Sequence, residues 1–65
     1  MDNQQIARAY GREAAIAHCA RNPKQEDLVG QQFWDWMIQA KVTKEAFRAF
    51  DEAYWKWIDN FGKGE

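Results

Sequence analysis

The sequence lacks the cross-links that usually stabilise a domain of 65 residues. Its single cysteine, Cys19, cannot form an internal disulfide, and its single histidine, His18, leaves no ligand set for structural zinc. Proline occurs once and glycine four times, and no stretch alternates between apolar and polar residues. These features exclude a disulfide scaffold and a zinc fold, and they favour helices over strands.

Charge and hydropathy argue against two kinds of partner. The net charge of −1 and the pI of about 5.8 differ from the strongly basic character of domains that bind nucleic acid through bulk electrostatics. No apolar run approaches the roughly 18 residues that cross a bilayer, and no signal peptide is visible, so we expect no membrane association. An unpaired thiol is typical of a reducing compartment, and we therefore expect a cytoplasmic protein.

Aromatic side chains are abundant: four Trp, four Phe and two Tyr make up 15% of the chain. A chain this short buries only about 60% of the surface that its unfolded form exposes, so each large side chain matters to its core. We expect the aromatic residues to take the place of the missing cross-links in one small helical domain, residues 1–65, with 62–65 as a frayed tail.

Local signals along the chain predict three helices. Asp2 is a good cap for the first, within which Gly11 is expected to cost about 1 kcal/mol relative to alanine. Asn22-Pro23 ends the first helix and starts the second, because proline disfavours helix before it and suits the first helical position. Thr43 is expected to cap the third. The short connections favour a compact three-helix bundle, with a helical hairpin completed by dimerisation as the alternative. The expected helices are about 3–21, 23–40 and 44–60.

Helical periodicity divides the large apolar residues into a core set and an outward set. Trp34 and Ile38 extend the apolar surface of the second helix well beyond one stripe, and Trp55 falls on the polar side of the third. The remaining aromatic residues share faces that predict burial. This core set comprises Tyr10, Phe33, Trp36, Phe47, Phe50, Tyr54, Trp57 and Phe61.

Two similar hexapeptides, FWDWMI at 33–38 and YWKWID at 54–59, each hold two tryptophans separated by one charged residue. Positions two apart on a helix differ by 200°, so one tryptophan of each pair can face the core while the other faces away. Trp36 and Trp57 are the expected core members. Trp34 and Trp55 either lie across neighbouring alkyl chains or anchor a partner, because tryptophan is enriched at interface hot spots.

No cluster of residues predicts catalysis or metal binding. Glu13 lies on the apolar side of the first helix without a second acid or a nucleophile, so a salt bridge or an interface contact is the expected role. His18 and Cys19 are adjacent on a helix and point 100° apart, which prevents them from chelating one ion comfortably. We expect no enzyme, no cofactor and no metal site.

The first helix and the turn after it carry a mild excess of positive charge, from Arg8, Arg12, Arg21 and Lys24. Such residues are usually solvated, and they could also touch RNA or an acidic protein surface. They support the alternative hypothesis of a ribosome- or nucleic-acid-associated factor, for which binding would weaken steeply with salt.

Two short segments resemble known families. FR at 47–48, AY at 53–54 and KWI at 56–58 are similar to the helical part of lambda phage Kil proteins, which inhibit bacterial cell division. GREAA at 11–15 followed by NP at 22–23 is similar to ribosome modulation factor, a strongly basic family, unlike this chain. Neither resemblance identifies a family, and together they imply a small phage or bacterial accessory protein.

These observations predict a non-enzymatic helical protein that binds another protein and modulates it, by inhibition in the leading hypothesis. A homodimer that buries the exposed part of the second helix is a further hypothesis. The residues expected at the interface are Trp34, Ile38 and Trp55 as anchors, with Arg48, Arg8 and Arg12 as peripheral charges.

Overall fold

A computed structural model, which describes residues 2–63, contains three helices: α1 (Asn3–Cys19), α2 (Pro23–Ala40) and α3 (Thr43–Lys63). The predicted all-helical three-helix bundle is confirmed. The third helix is longer than predicted, because it continues through Gly62 instead of ending before it. The last two residues of the expected tail, Gly64 and Glu65, lie outside the described residues.

The first two helices begin at the caps that the sequence predicts. The Asp2 carboxylate accepts a hydrogen bond from the Gln5 backbone N–H at 2.8 Å, and the Asn22 side-chain oxygen accepts from the Gln25 backbone N–H at 3.2 Å. Each bond satisfies an N–H that the first helical turn would otherwise leave without a partner. These contacts explain why the start of each helix could be located from local sequence.

The start of α3 differs from the prediction. Lys41 adopts a left-handed conformation (φ 59°) and turns the chain sharply after α2. Val42 therefore directly precedes the first turn of α3. The carbonyl of Val42 accepts a hydrogen bond from the Ala46 N–H at 3.0 Å, which makes Thr43 the first helical residue. The expectation that Thr43 caps this helix is therefore wrong.

Small residues form the contact between α1 and α3. A Cβ atom built on Gly11 would overlap the carbonyl oxygen of Phe50 and would lie 3.2 Å from Cβ of Ala53. Gly11 therefore permits a close approach of the two helix backbones, a role that helix propensity alone does not reveal. The small residues that the structure buries in these helices are Ala7, Gly11, Ala14, Ala15, Ala17, Ala46 and Ala49.

The larger core side chains come mainly from α2. Met37 is 1% exposed and Phe33 is 4% exposed. The Phe33 ring lies with its centroid 4.4 Å from that of Phe50. Three more rings surround it, with centroids between 5.9 and 6.1 Å away: Tyr10, Trp36 and Phe47. Phe33 is thus the side chain through which the aromatic residues of all three helices meet.

The predicted core is wrong at three positions on α3. Phe47, Trp57 and Phe61 are 39%, 38% and 49% exposed, respectively, whereas Ala46 and Ala49 are buried. The reason is steric: α3 approaches α1 most closely along its alanines, so the larger side chains lie beside the line of contact. Phe33 is buried as predicted, and four other members of the set are partly buried: Tyr10, Trp36, Phe50 and Tyr54.

The three helices are not equally close to one another. α1 and α3 run in the same direction, since Ala7 clusters with Ala46 at one end and Cys19 borders the same cleft as Ile58 at the other. α2 runs antiparallel and packs against α1, but it approaches α3 over a short region only. A groove therefore remains between α2 and α3. None of the helices over residues 2–63 is long and apolar enough to cross a membrane.

Candidate interaction surface

The groove between α2 and α3, which we call the α2/α3 groove, has a volume of about 560 Å³ and is open to solvent. Ala14 of α1 lines the groove together with Phe50 and Tyr54 of α3. The α2 side consists of Glu26, Asp27, Gly30, Gln31, Trp34 and Asp35. An apolar concavity with a few polar groups at its edge is typical of a binding site.

All formal charges around the α2/α3 groove are negative. Glu26, Asp27 and Asp35 follow one another along α2, and no lysine or arginine is among the described residues that line the groove. Trp34, Phe50 and Tyr54 supply apolar surface next to these carboxylates, so the groove complements a ligand that combines apolar and cationic groups. The groove is therefore both aromatic and electronegative.

Glu26 joins the three helices at one end of the groove. Tyr54 on α3 donates a hydrogen bond from its hydroxyl to Oε2 of Glu26 at 3.1 Å. The other carboxylate oxygen lies 3.3 Å from Nδ1 of His18 on α1, and the His18 and Tyr54 rings are 6.0 Å apart. Both oxygens of Glu26 are thereby occupied, and its side chain is held at the edge of the groove.

The surroundings of the Tyr54 hydroxyl raise its pKa. Partial burial raises the pKa of Tyr54 above its ordinary value of 10.0. The hydrogen bond to Glu26 and the negative charge of Glu26 raise this pKa further, and Cys19 has a smaller effect in the same direction. Folding therefore favours the protonated phenol. The stability that it contributes is present below pH 10 and is lost as the pH rises from 10.0 through the higher pKa of the folded state.

We predict that Tyr54→Phe flattens the alkaline part of the stability profile. At neutral pH this change should lower the free energy of unfolding by about 1 kcal/mol or less, through loss of one partly exposed hydrogen bond. Between about pH 9 and 11 the free energy of the parent protein should fall more steeply than that of the variant. Urea titrations at several pH values measure both slopes, and parallel slopes would contradict the assignment.

The three predicted anchors occupy different places on this surface. Trp34 lines the groove, is 50% exposed, and lies with its ring centroid 5.9 Å from that of Phe47. Ile38 follows one turn later on α2 and is 55% exposed. Trp55 is 62% exposed and does not line the groove; its ring centroid lies 5.1 Å from that of Tyr54, with the two rings nearly perpendicular. Trp34 and Ile38 thus lie one turn apart on α2, and Trp55 lies on α3 against Tyr54, which lines the groove.

The predicted peripheral charges lie away from the groove. Arg8 and Arg48 line one cleft between α1 and α3, where Arg8 approaches Glu52 at 3.9 Å, and Arg12 lines the next cleft with Lys56 and Trp57. Arg21 borders another cleft at the α1–α2 turn. Arg8 lines the first two of these clefts, so Arg8, Arg12 and Arg48 share one side of the molecule, whereas Arg21 lies at the far end of α1.

Several groove residues were not recognised from the sequence. The helical pattern predicts Phe50 and Tyr54 in the core alone, and Gly30, which belongs to the wide apolar arc of the second helix with Trp34 and Ile38, was not predicted as a site residue. A Cβ atom on Gly30 would meet nothing within 4 Å, so this glycine leaves open space in the groove wall. The wide apolar arc of the second helix could have indicated the groove, because an apolar surface too wide for one neighbouring helix predicts a second contact.

The remaining candidate residues show no catalytic arrangement among the described residues. Glu13 is exposed on α1, so its carboxylate is neither buried nor placed in the core. Cys19 is a partly buried free thiol, and His18 beside it faces Glu26. Within residues 2–63 no group of three or more His, Cys, Asp or Glu side chains could hold a metal ion.

Comparison with known proteins does not assign the chain to a family. No family model matches it, and neither a curated protein nor a solved structure matches it significantly. The short resemblances to Kil proteins and to ribosome modulation factor therefore receive no support from these comparisons. Any functional conclusion must rest on the surface of the molecule itself.

Proposed function

We propose that this protein is a non-catalytic binding protein that attaches to another protein through the aromatic surface at the α2/α3 groove. One observation carries the proposal: Trp34 lines an open groove and pairs with the Phe47 ring, Ile38 follows one turn later on α2, and all three side chains are 39–55% exposed. Large exposed apolar areas of this kind usually mark interaction sites. Trp55 extends the contact along α3.

We propose inhibition of the partner as the mode of action. A bundle of 65 residues has too little interior to enclose a substrate, but its surface is large enough to cover a functional site on a partner. We include in the proposal a role as a phage or bacterial accessory protein and a cytoplasmic location, which the unpaired thiol of Cys19 favours.

We predict that the tryptophans of this surface dominate partner binding. Trp34→Ala or Trp55→Ala should weaken binding by about 2 kcal/mol or more while leaving the helical content nearly unchanged, because both side chains are largely exposed. The matched control is Leu28→Ala, which removes another exposed side chain of α2 that does not line the groove. Capture from bacterial extract, followed by titration with the purified partner, measures the difference.

Two results would contradict the proposal. Equal loss of binding in Leu28→Ala would show that the effect is not local to the aromatic surface. Binding that falls steeply with salt and is unchanged by either tryptophan variant would favour the nucleic-acid-associated alternative, in which Arg8 and Arg12 contact phosphates.

A further inference from the structure

We infer that the α2/α3 groove binds a basic amphipathic helix of the partner protein, which lies along α2 and α3 as a fourth helix. This inference rests on the proposed function and specifies the chemistry of the partner at that site. It follows from the shape of the groove, from the open space at Gly30 and from the sign of the surrounding charges.

The shape of the groove favours a helix over an extended peptide. Its walls are two helices, whose backbone groups already bond within each helix, so an extended segment could gain no ladder of main-chain hydrogen bonds. The groove residues recur at one-turn spacing, with Gly30 and Trp34 on α2 and Phe50 and Tyr54 on α3. A fourth helix can pack against such a surface as in a four-helix bundle.

Gly30 provides the position for a large side chain of the partner. Gly30 lies within α2 and borders the groove. A Cβ atom at this position would have no neighbour within 4 Å, so the groove is open there. A Leu or Phe of the incoming helix can therefore rest directly on the α2 backbone between the rings of Trp34 and Tyr54. Packing of a side chain into a gap between facing side chains is the usual contact of bundled helices.

The charges select a basic partner. Both oxygens of Glu26 already contact Tyr54 and His18, whereas Asp27 and Asp35 border the groove without a cation in the described lining that would neutralise them. A helix with Lys or Arg beside its apolar stripe would pair with these carboxylates, whereas an acidic helix would be repelled. Electrostatics thus adds selectivity to a contact whose affinity comes from aromatic burial.

A synthetic peptide tests the inference directly. The probe is an amphipathic helix of 18 residues, the length of α2, with a leucine stripe flanked by lysines; its counterpart carries glutamate in place of every lysine. Titrated against the full chain and followed by tryptophan fluorescence, the lysine peptide should bind at least about tenfold more tightly than the glutamate peptide. High salt should reduce this ratio.

Gly30→Leu is the decisive variant. The structure leaves room for the new side chain, so the chain should fold, but the groove should be filled and the affinity for the lysine peptide should fall at least about tenfold. Gln39→Leu is the matched control, since it adds the same side chain to an exposed position of α2 outside the groove lining. Its affinity should equal that of the parent protein.

Three outcomes would overturn the inference: equal affinity for the two peptides, unchanged affinity in Gly30→Leu, or a homodimer in light scattering that Gly30→Leu dissociates. The last would identify a second copy of this chain as the occupant. If a natural partner binds the Gly30→Leu variant but no longer binds the Trp34→Ala variant, the groove is not the site of a partner helix, and the proposed function stands. Peptide binding with no tryptophan-dependent partner would refute the proposed function instead.

Discussion

Phe33→Ala should leave most of the chain unfolded at 25 °C. Phe33 is 4% exposed and contacts rings from all three helices, so its removal leaves a cavity that the surrounding aromatic side chains cannot fill. Replacing a buried phenylalanine by alanine costs about 3–5 kcal/mol. A single core of this size rarely supplies more than about that amount of stability. Circular dichroism and urea titration would show the loss of helix.

Trp57→Ala is the control for this result. From its helical spacing, Trp57 was expected in the core, where the same truncation would have cost about 3–5 kcal/mol. It is 38% exposed, so we expect a markedly smaller loss than for Phe33→Ala, although tryptophan is the larger side chain. The reverse order of the two variants would refute the burial pattern of α3.

Alanine substitutions at Gly11, which is buried, and at Gly30, which is half-buried, should change the free energy of unfolding in opposite directions. Gly11→Ala should destabilise the fold by about 3 kcal/mol, because its methyl group would overlap a backbone oxygen of Phe50, which cannot move without separating α1 from α3. Gly30→Ala should stabilise it by about 0.5–1 kcal/mol, since its methyl group meets only open space and alanine is the better helix former.

Urea denaturation of both alanine variants measures this contrast in one experiment. The propensity gain on replacing glycine by alanine is similar at two interior helix positions, so the difference between the variants isolates the steric cost at Gly11. Stabilisation by both changes would mean that α1 and α3 are farther apart than the structure shows.

The three helices could be predicted from the sequence because their ends depend on local interactions. Asp2, Asn22 and Pro23 act within one turn of their own position, and they mark the starts of α1 and α2 where these were expected. The end of α1 was predicted less well, because the helix stops at Cys19, two residues before the expected end, and Arg21 turns left-handed (φ 57°). The core composition depends instead on which face of each helix approaches its neighbour. Periodicity assigns that face to the largest apolar side chains, whereas here the closest contact uses Gly11 and the alanines of α3.

The candidate site was predictable only in part, for the same reason. The exposure of Trp34, Ile38 and Trp55 follows from their angular positions on single helices, and the structure agrees. The groove depends on the separation of α2 from α3, which arises because both pack against α1. The bond between Glu26 and Tyr54 joins residues 28 apart in sequence, and no local pattern indicates it.

The close pairing of α1 with α3 also bears on how fast the chain folds. The tightest contact joins the first helix to the last, so the loop that contains all of α2 must close before Gly11 meets Phe50. Such long-range contacts raise the relative contact order and slow folding compared with a bundle whose strongest contacts join consecutive helices. Until α3 docks, the alanines of α1 that face it remain in water, and the first two helices alone have only part of a core.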